Sequence, residues 1–432
     1  MSFSQLQLNK HLQQVVNQCG FSAPTPIQAQ AIPQVIAGHD LLGLAQTGTG
    51  KTAAFVLPTV HRLMASTSTS PRALIVAPTR ELAEQINAFT RTTIRKTGLK
   101  SVAVYGGVGK AGQIARIREG ADIVVACPGR LLDLLNDKAL DLSRVTTLIL
   151  DEADHMFDQG FLPDIRRILR QLPVKRQNLV FSATMPDAIR QLAAEVLENP
   201  VTVQINHTQP VQSIAHRLFS VEQGEKTHLL MHLLQQDAMA TTLVFTRTKH
   251  KAKKLALQLS GSGFKATSLQ GNLSQNKRQQ ALDGFKNGAF TILVATDIAA
   301  RGIDVTGISH VINYDMPDTV ETYIHRTGRT GRAASVGEAL TFATTEDGRM
   351  IRSIERSLAI QLCREPVQEG RAPKALGPEA SATQPVPGHH PASTTTARST
   401  SKKATVRPKA SRPRQGKRST NSNIFGLANQ SK

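Results

Sequence analysis

The feature that most restricts the fold is a set of short apolar runs, each closed by a turn and in most cases followed by a segment of helical period. Between residues 20 and 205 these runs fall at 41–45, 73–77, 101–105, 122–126, 146–150 and 178–181. An uninterrupted apolar run of this length reads as a strand buried on both faces, the habit of parallel sheets. Segments such as 81–94 and 130–136 supply the helical crossovers, so the pattern is βαβ repetition. A polar stretch, 206–213, interrupts it. The alternation then resumes, with strands expected at 215–221, 242–245, 265–269, 291–295, 310–314 and 339–342 and helices near 226–234, 249–259 and 275–286. The economical reading is two α/β domains, residues 1–205 and 214–364, joined by a linker at 206–213.

Residues 365–432 differ in kind. They are rich in Pro, Ser, Thr, Ala, Lys and Arg and nearly devoid of large apolar side chains, so burial cannot offset the entropy of ordering them and a disordered tail is expected. Charge is concentrated there: residues 371–432 hold twelve Lys or Arg against the single acid Glu379, a net +11, which leaves +9 of the total +20 for residues 1–370. Such a balance favours a polyanionic partner, nucleic acid or an anionic membrane surface. Cys19, Cys127 and Cys363 are odd in number and widely spaced, which argues against a disulfide framework or a zinc site and fits a reducing cytoplasm. The N-terminal segment has no apolar h-region, and no run approaches the ~18 apolar residues that span a bilayer. A soluble chain with no leader and no membrane partner is expected.

The run 147–150 stops abruptly on Asp151, Glu152 and, two residues on, Asp154. The carboxyl end of a parallel strand is where open α/β sheets bind ligands, and clustered carboxylates there suit a magnesium ion, which takes one or two carboxylates together with nucleotide phosphates. The matching phosphate cradle lies earlier. Ala45-Gln46-Thr47-Gly48-Thr49-Gly50-Lys51-Thr52 follows a strand and opens a helix, the context of a P-loop, whose backbone N–H groups wrap phosphate while Lys51 meets the β/γ-phosphates and Thr52 ligates Mg2+. Ala45 departs from the pattern, which begins with glycine. Alone, the segment also reads as an ordinary Gly/Thr turn, and the acids as a solvated helix N-terminus. Together they favour a nucleotide site, with Asp151 as the magnesium carboxylate and Glu152 as the group that orients and deprotonates the attacking water.

The ordered motifs, spread over residues 3–360, resemble those of a DEAD-box ATP-dependent RNA helicase, whose name spells Asp151-Glu152-Ala153-Asp154. The resemblance implies an α/β fold of two tandem RecA-like parallel-sheet domains with a disordered basic C-terminal tail. Gly20 to Gln28 is similar to the family's Q motif, which implies that Gln28 reads adenine, that Phe21 packs near the ring, and that Phe3 is the upstream aromatic. ATP is then the expected fuel. Pro78-Thr79-Arg80, Gly106-Gly107 and Pro128-Gly129-Arg130 resemble the first domain's RNA motifs, with Cys127 where the family usually has threonine. Ser182-Ala183-Thr184 resembles the motif that couples hydrolysis to strand separation through Asp154; it reads equally as a strand-to-helix cap. In the second domain Arg247, Gln275, Arg278 and Thr296 match further RNA contacts and Asp304 a ribose contact. His325 opens the last motif, in which Arg329 and Arg332 match the arginine fingers.

The resemblance therefore implies an RNA-stimulated ATPase that separates short duplexes or remodels RNA–protein complexes, with ATP and Mg2+ as cofactors. The alternatives are an ATP-gated RNA clamp serving as an assembly platform and a DNA-directed ATPase of similar design. The short core, the string 243–249 and the basic tail look most like the bacterial RhlE-type subgroup, which points by analogy to ribosome-assembly or RNA-turnover proteins as partners.

Overall fold

The computed structural model describes residues 1–365 apart from 47, 67, 69, 206–213, 236–238, 301–304, 306 and 332–336. The expected linker, the tail beyond Glu365, and the candidate residues Thr47, Asp304 and Arg332 lie outside the described residues. What is described falls within one compact unit, residues 1–369.

That unit is built on two parallel sheets. The first contains β1 (Leu41–Leu44), β2 (Ala73–Val76), β3 (Ser101–Val104), β4 (Ile123–Ala126), β5 (Thr147–Leu150), β6 (Gln177–Ser182) and β7 (Val201–Gln204) in the order β3-β4-β2-β5-β6-β1-β7. The second contains β8 (Ile214–Ser220), β9 (Thr242–Phe245), β10 (Ala266–Leu269), β11 (Ile292–Ala295), β12 (His310–Asn313), β13 (Gly337–Ala343) and β14 (Cys363–Glu365) in the order β10-β11-β9-β12-β13-β8-β14. Every recorded pairing is parallel.

The apolar runs are continuous because each strand buries both faces. Along β2, Ala73 and Ile75 enter one core while Leu74 and Val76 enter the other; along β5, Ile149 faces the first and Leu148 and Leu150 the second. The second sheet repeats the arrangement, with Val244 and Ile312 on one side and Leu243, Phe245 and Val311 on the other. This is the period-2 geometry of a strand with helices on both faces.

Two strands fall outside the expected runs, β7 and β14, and each sits at a sheet edge. Edge strands bury little: β7 shows one buried residue in four and β14 none in three, so no continuous apolar run marks them. β14 also reaches Glu365, the first residue of the expected tail, which pairs with Phe219.

Ile149 is fully buried at the middle of β5, the strand that delivers the carboxylates. Ile149→Ala is expected to destabilise the chain by about 2–5 kcal/mol, measured as a lowered urea midpoint with an unchanged m-value.

Candidate active site

Parallel pairing delivers the carboxyl ends of all strands of a sheet to one rim. In the first sheet β5, β6 and β1 are consecutive, so the segments leaving them are set about 5 Å apart, each from the next. Those segments are the acidic cluster, Ser182-Ala183-Thr184 and the glycine-rich loop.

The loop leaving β1 enters the helix Lys51–Leu63 through Gly48 and Gly50, at φ 89° and 91°. L side chains are strained there, and a β-carbon on Gly50 would also overlap the amide of Gln28. That amide ties two elements together. Its Oε1 accepts from the Thr25 N–H at 3.0 Å, capping the helix Pro26–Ala37, and its Nε2 donates to the Gly50 carbonyl at 3.1 Å. The Thr49 hydroxyl donates to the Gln46 carbonyl at 2.8 Å. Ala45, where glycine was expected, is 2% exposed and donates its N–H to the Ser182 carbonyl at 3.0 Å. It continues the ladder of β1, in a conformation that needs no glycine. Phe3 is buried and stacks on Phe21, which in turn meets Phe89, so the two aromatics buttress this corner of the core.

Lys51 is 6% exposed and its ammonium has no hydrogen-bond partner. A buried, unbonded cation is costly; here it is held in the field of Asp151 and Glu152. Burial pushes the Asp151 carboxyl up, with Lys51 opposing and Glu152 reinforcing the shift. Burial acts against the charge of Glu152 too, but a 3.2 Å hydrogen bond with His155 Nδ1 and attraction from His155, Lys51 and Arg329 outweigh it and hold this carboxyl below its ordinary range. Glu152 also sits at φ 52°, ψ 54°, a left-handed conformation that costs a non-glycine residue roughly 1–3 kcal/mol. The turn aims a buried, ionised carboxylate.

Asp154 bridges β5 and β6. Its Oδ2 accepts from the N–H groups of Ala183 and Thr184 at 3.1 and 2.9 Å and from the Thr184 hydroxyl at 2.9 Å, while its own N–H donates to Ser182 Oγ at 3.3 Å. From the other sheet, His325 Nε2 comes within 4.0 Å of the same Oδ2. Arg329, on the turn after the helix Val320–Thr327, is buried and contributes to the field at Glu152. The neighbouring Arg326 has a different task. It is 2% exposed, forked onto both oxygens of Asp297 at 2.5 and 2.8 Å and set over the Phe245 ring.

The remaining candidates line the rim. Thr79 caps the helix Arg80–Thr93 by accepting from the Leu82 N–H. Arg80 lies against Gly106 and Gly107, where a β-carbon on Gly107, at φ 83°, would overlap the guanidinium. Pro78 is buried and Gly129 exposed; Pro128 occupies the first turn of the helix Pro128–Asn136, and Arg130 donates to the Val108 carbonyl at 3.1 Å. The Cys127 thiol is pushed up to about 12 by burial, with Glu81 adding to the shift. It is an inert, protonated group and makes no cap. Across the rim Thr296 is half-buried, and Arg247 pairs with Asp318 at 3.0 Å. Gln275 and Arg278 both reach Glu81 in the first half, at 3.4 and 2.7 Å.

Sequence reasoning did not assign Glu81, His155, Asp297 or Arg326. A glutamate inside a matched motif and a histidine three residues after Glu152 were visible signals; which residues they meet was not. Among the described residues no cluster of three His, Cys, Asp or Glu forms a cage for a metal. A magnesium ion sharing nucleotide phosphates needs none, and the Asp151 carboxylate, in the field of the orphaned Lys51 ammonium and at the same rim as the helix that Lys51 and Thr52 open, suits that arrangement.

The family model described as DEAD/DEAH box helicase matches residues 25–192, and that described as helicase conserved C-terminal domain matches residues 225–334. The chain is 42% identical over 356 residues to ATP-dependent RNA helicase CshA of Listeria monocytogenes, covering 82% of this chain and 68% of that protein. The chain belongs to the DEAD/DEAH box helicase family. ATP-dependent RNA helicase DeaD of Buchnera aphidicola is 40% identical over 363 residues, 84% of this chain but only 60% of the relative's length. Among solved structures, S. cerevisiae Dbp5 bound to RNA and ADP BeF3 superposes with a TM-score of 0.77 at 31% identity, covering 85% of this chain and 96% of that one. Mss116p bound to ssRNA and AMP-PNP gives 0.78 at 26% identity, covering 85% and 79%. DEAD/DEAH box helicase architecture thus accounts for both sheets, each of the RecA-like parallel type.

The Glu81–Arg278 pair is 5% and 13% exposed at its side chains, and breaking a buried pair costs about 3–5 kcal/mol. Arg278→Glu is expected to enlarge the particle in small-angle scattering, and the exchange Glu81→Arg/Arg278→Glu to restore it.

Proposed function

We propose that the chain is an ATP-dependent RNA helicase that hydrolyses ATP when its two halves close on RNA and locally separates short duplexes. The observation that carries this reading is the approach of His325 and Arg329 from the second half to Asp154 and Glu152 in the first. The printed names of the family relatives and the RNA-bound state of the similar solved structures support it.

In this reading the backbone N–H groups of the loop after Ala45, up to Thr52, and the Lys51 ammonium take the ATP phosphates, with Asp304 at the ribose. Thr52 and Asp151 would hold magnesium, whose charge would offset that of the phosphates. Gln28 reads adenine with the edge of its amide left free by Thr25 and Gly50, so the base is coupled to the phosphate loop through one side chain. Glu152, kept ionised by His155, Lys51 and Arg329, orients water and takes its proton. Arg329, joined by Arg332, stabilises the transferring phosphoryl group, a role worth roughly 10³–10⁵ in rate in related nucleotidases.

RNA lies along the rim of both halves, its backbone met by Thr79, Arg80, the Gly106–Gly107 turn, Arg130, Arg247 and Thr296. Closure also sets Gln275 and Arg278 at Glu81. Residues 1–205 and 214–364 act as the two lobes. Because both ligands favour the closed arrangement, each strengthens binding of the other. Asp154 transmits closure: its carboxylate joins Ser182-Ala183-Thr184 on one side and faces His325 on the other, so movement of the second half reaches the strand beside the phosphate loop.

Glu152→Gln is expected to lower the RNA-stimulated ATPase kcat by about 10²–10⁴ while leaving ATP and RNA binding intact, read by steady-state hydrolysis and fluorescence anisotropy. Normal turnover in that variant overturns the assignment of the base, and equal stimulation of the unmodified chain by DNA overturns RNA as the ligand. Deleting residues 371–432 is expected to flatten the salt dependence of RNA affinity without changing basal ATPase; an unchanged slope excludes the tail as an electrostatic tether.

A further inference from the structure

A cleft of about 590 Å³ opens at the end of the first sheet opposite the rim, at the amino ends of β3 and β4. The mechanism above does not use it. It lies between the last turn of the helix Arg80–Thr93, the turn that follows, and the helix Lys110–Arg118. Its walls carry Arg91, Arg95, Lys96, Lys100 and Arg116 against the one acid Glu119. The Lys100 ammonium donates to the Glu119 backbone carbonyl at 2.7 Å, and none of the five cations is ion-paired among the described residues. Five unpaired cations around one cleft repel one another, and an anion relieves that repulsion.

Asn87 lines the cleft at 6% exposure, and its side-chain Oδ1 has no hydrogen-bond partner; the neighbouring Ser101 hydroxyl is buried and also unpartnered. Unsatisfied buried polar atoms are costly. Oδ1 itself has almost no surface open to the cleft, so it marks a strained polar wall rather than a ligand contact, and the charge of the cleft calls for an anion such as the phosphates of a nucleic-acid backbone. Three of the five cations are arginines, whose planar forks suit phosphate oxygens.

We propose that this cleft binds the backbone of RNA flanking the segment held on the rim. It deepens the RNA reading given above and rests on it. The route is short. β3 is the open edge of its sheet; its carboxyl end leads to Gly106–Gly107 on the rim, and its amino end, Ser101, is in the cleft. Four strand residues span only about 13 Å, so a strand leaving the rim over this edge arrives at the cations. The chain's own tail is excluded as occupant by its net +11.

The test compares the full chain with Arg95→Ala/Lys96→Ala/Arg116→Ala, using an oligonucleotide just long enough to saturate ATPase stimulation and a longer single-stranded RNA that extends it. The variant is expected to keep the ATPase saturated by the short strand and to lose affinity for the long one. Its log–log salt slope should shrink by roughly 2, the share of three phosphate contacts on a single strand. An unchanged slope with intact short-strand stimulation overturns the cleft alone, whereas no stimulation of the unmodified chain by RNA overturns the function reading and the cleft with it.

A second arm replaces the flank by DNA. The unmodified chain should bind this chimera about as tightly as all-RNA, because the five cations meet phosphate, which both flanks carry. Loss of the flank's contribution in the chimera overturns recognition through phosphate charge. Polyglutamate that binds the unmodified chain more tightly than the RNA flank does, and is lost in the triple variant, makes an acidic peptide the occupant and rejects RNA.

Discussion

Parallel pairing is the constraint from which the rest follows. A parallel sheet places the carboxyl ends of all its strands on one side, and in the first sheet the neighbours β5, β6 and β1 bring the glycine-rich loop beside two segments that come far later in the sequence. The acidic cluster, the Ser182–Thr184 segment and the glycine-rich loop therefore share a rim before any side chain is chosen. What side chains add is polarity. Lys51, Asp151 and Glu152 are all nearly excluded from water, and none is tolerable there alone; each lowers the cost of burying an opposite charge beside it. The Lys51 ammonium without a hydrogen bond and the left-handed turn at Glu152 are both costs of stability, and both sit at the site that the proposed function gives to phosphate.

The first sheet holds only half of this arrangement. His325 and Arg329 arrive from the second half, and Glu81 receives Gln275 and Arg278 along the same rim. The contacts differ in strength. The Glu81–Arg278 pair is a 2.7 Å charge-assisted bond, whereas the His325–Asp154 approach is 4.0 Å. The stronger of these two contacts lies away from the glycine-rich loop, so the two halves meet at the rim as well as beside Asp154 and Glu152. Arg326 explains how the second half presents them. Its guanidinium is committed to Asp297, Asn313 and the Asp315 carbonyl, which fixes the end of its helix and leaves Arg329, on the turn beyond, to face across.

Most of the sheet architecture was legible because burial on both faces writes itself as unbroken apolar sequence. Where a strand is at an edge that signal disappears, and β7 and β14 were not seen for that reason. The glycine-rich loop and the acidic cluster were legible because their chemistry demands particular residues at fixed spacing. Partners across the two halves were not. Glu81 and Arg278 are 197 residues apart, and nothing local in either segment specifies that one docks on the other. Arg326 shows the same limit in reverse: the resemblance singled out Arg329 and Arg332 and left Arg326 without a role, and only the structure shows that it clamps Asp297.

The strand that ties these scales together is β3. As an edge strand it has an open side, normally a liability for unwanted pairing, and here both of its ends carry cations: Arg80 beside Gly106 and Gly107 at one, the five-cation cleft at the other. Positive charge at an open edge discourages pairing with a second protein strand. The face between the two ends is neutral along β3 and carries Glu84 beside Tyr105, so the cations form two separate groups about one strand length apart. Cations at both ends of the edge thus oppose its pairing with a second protein strand, and in the proposed reading the same charges hold a nucleic-acid backbone.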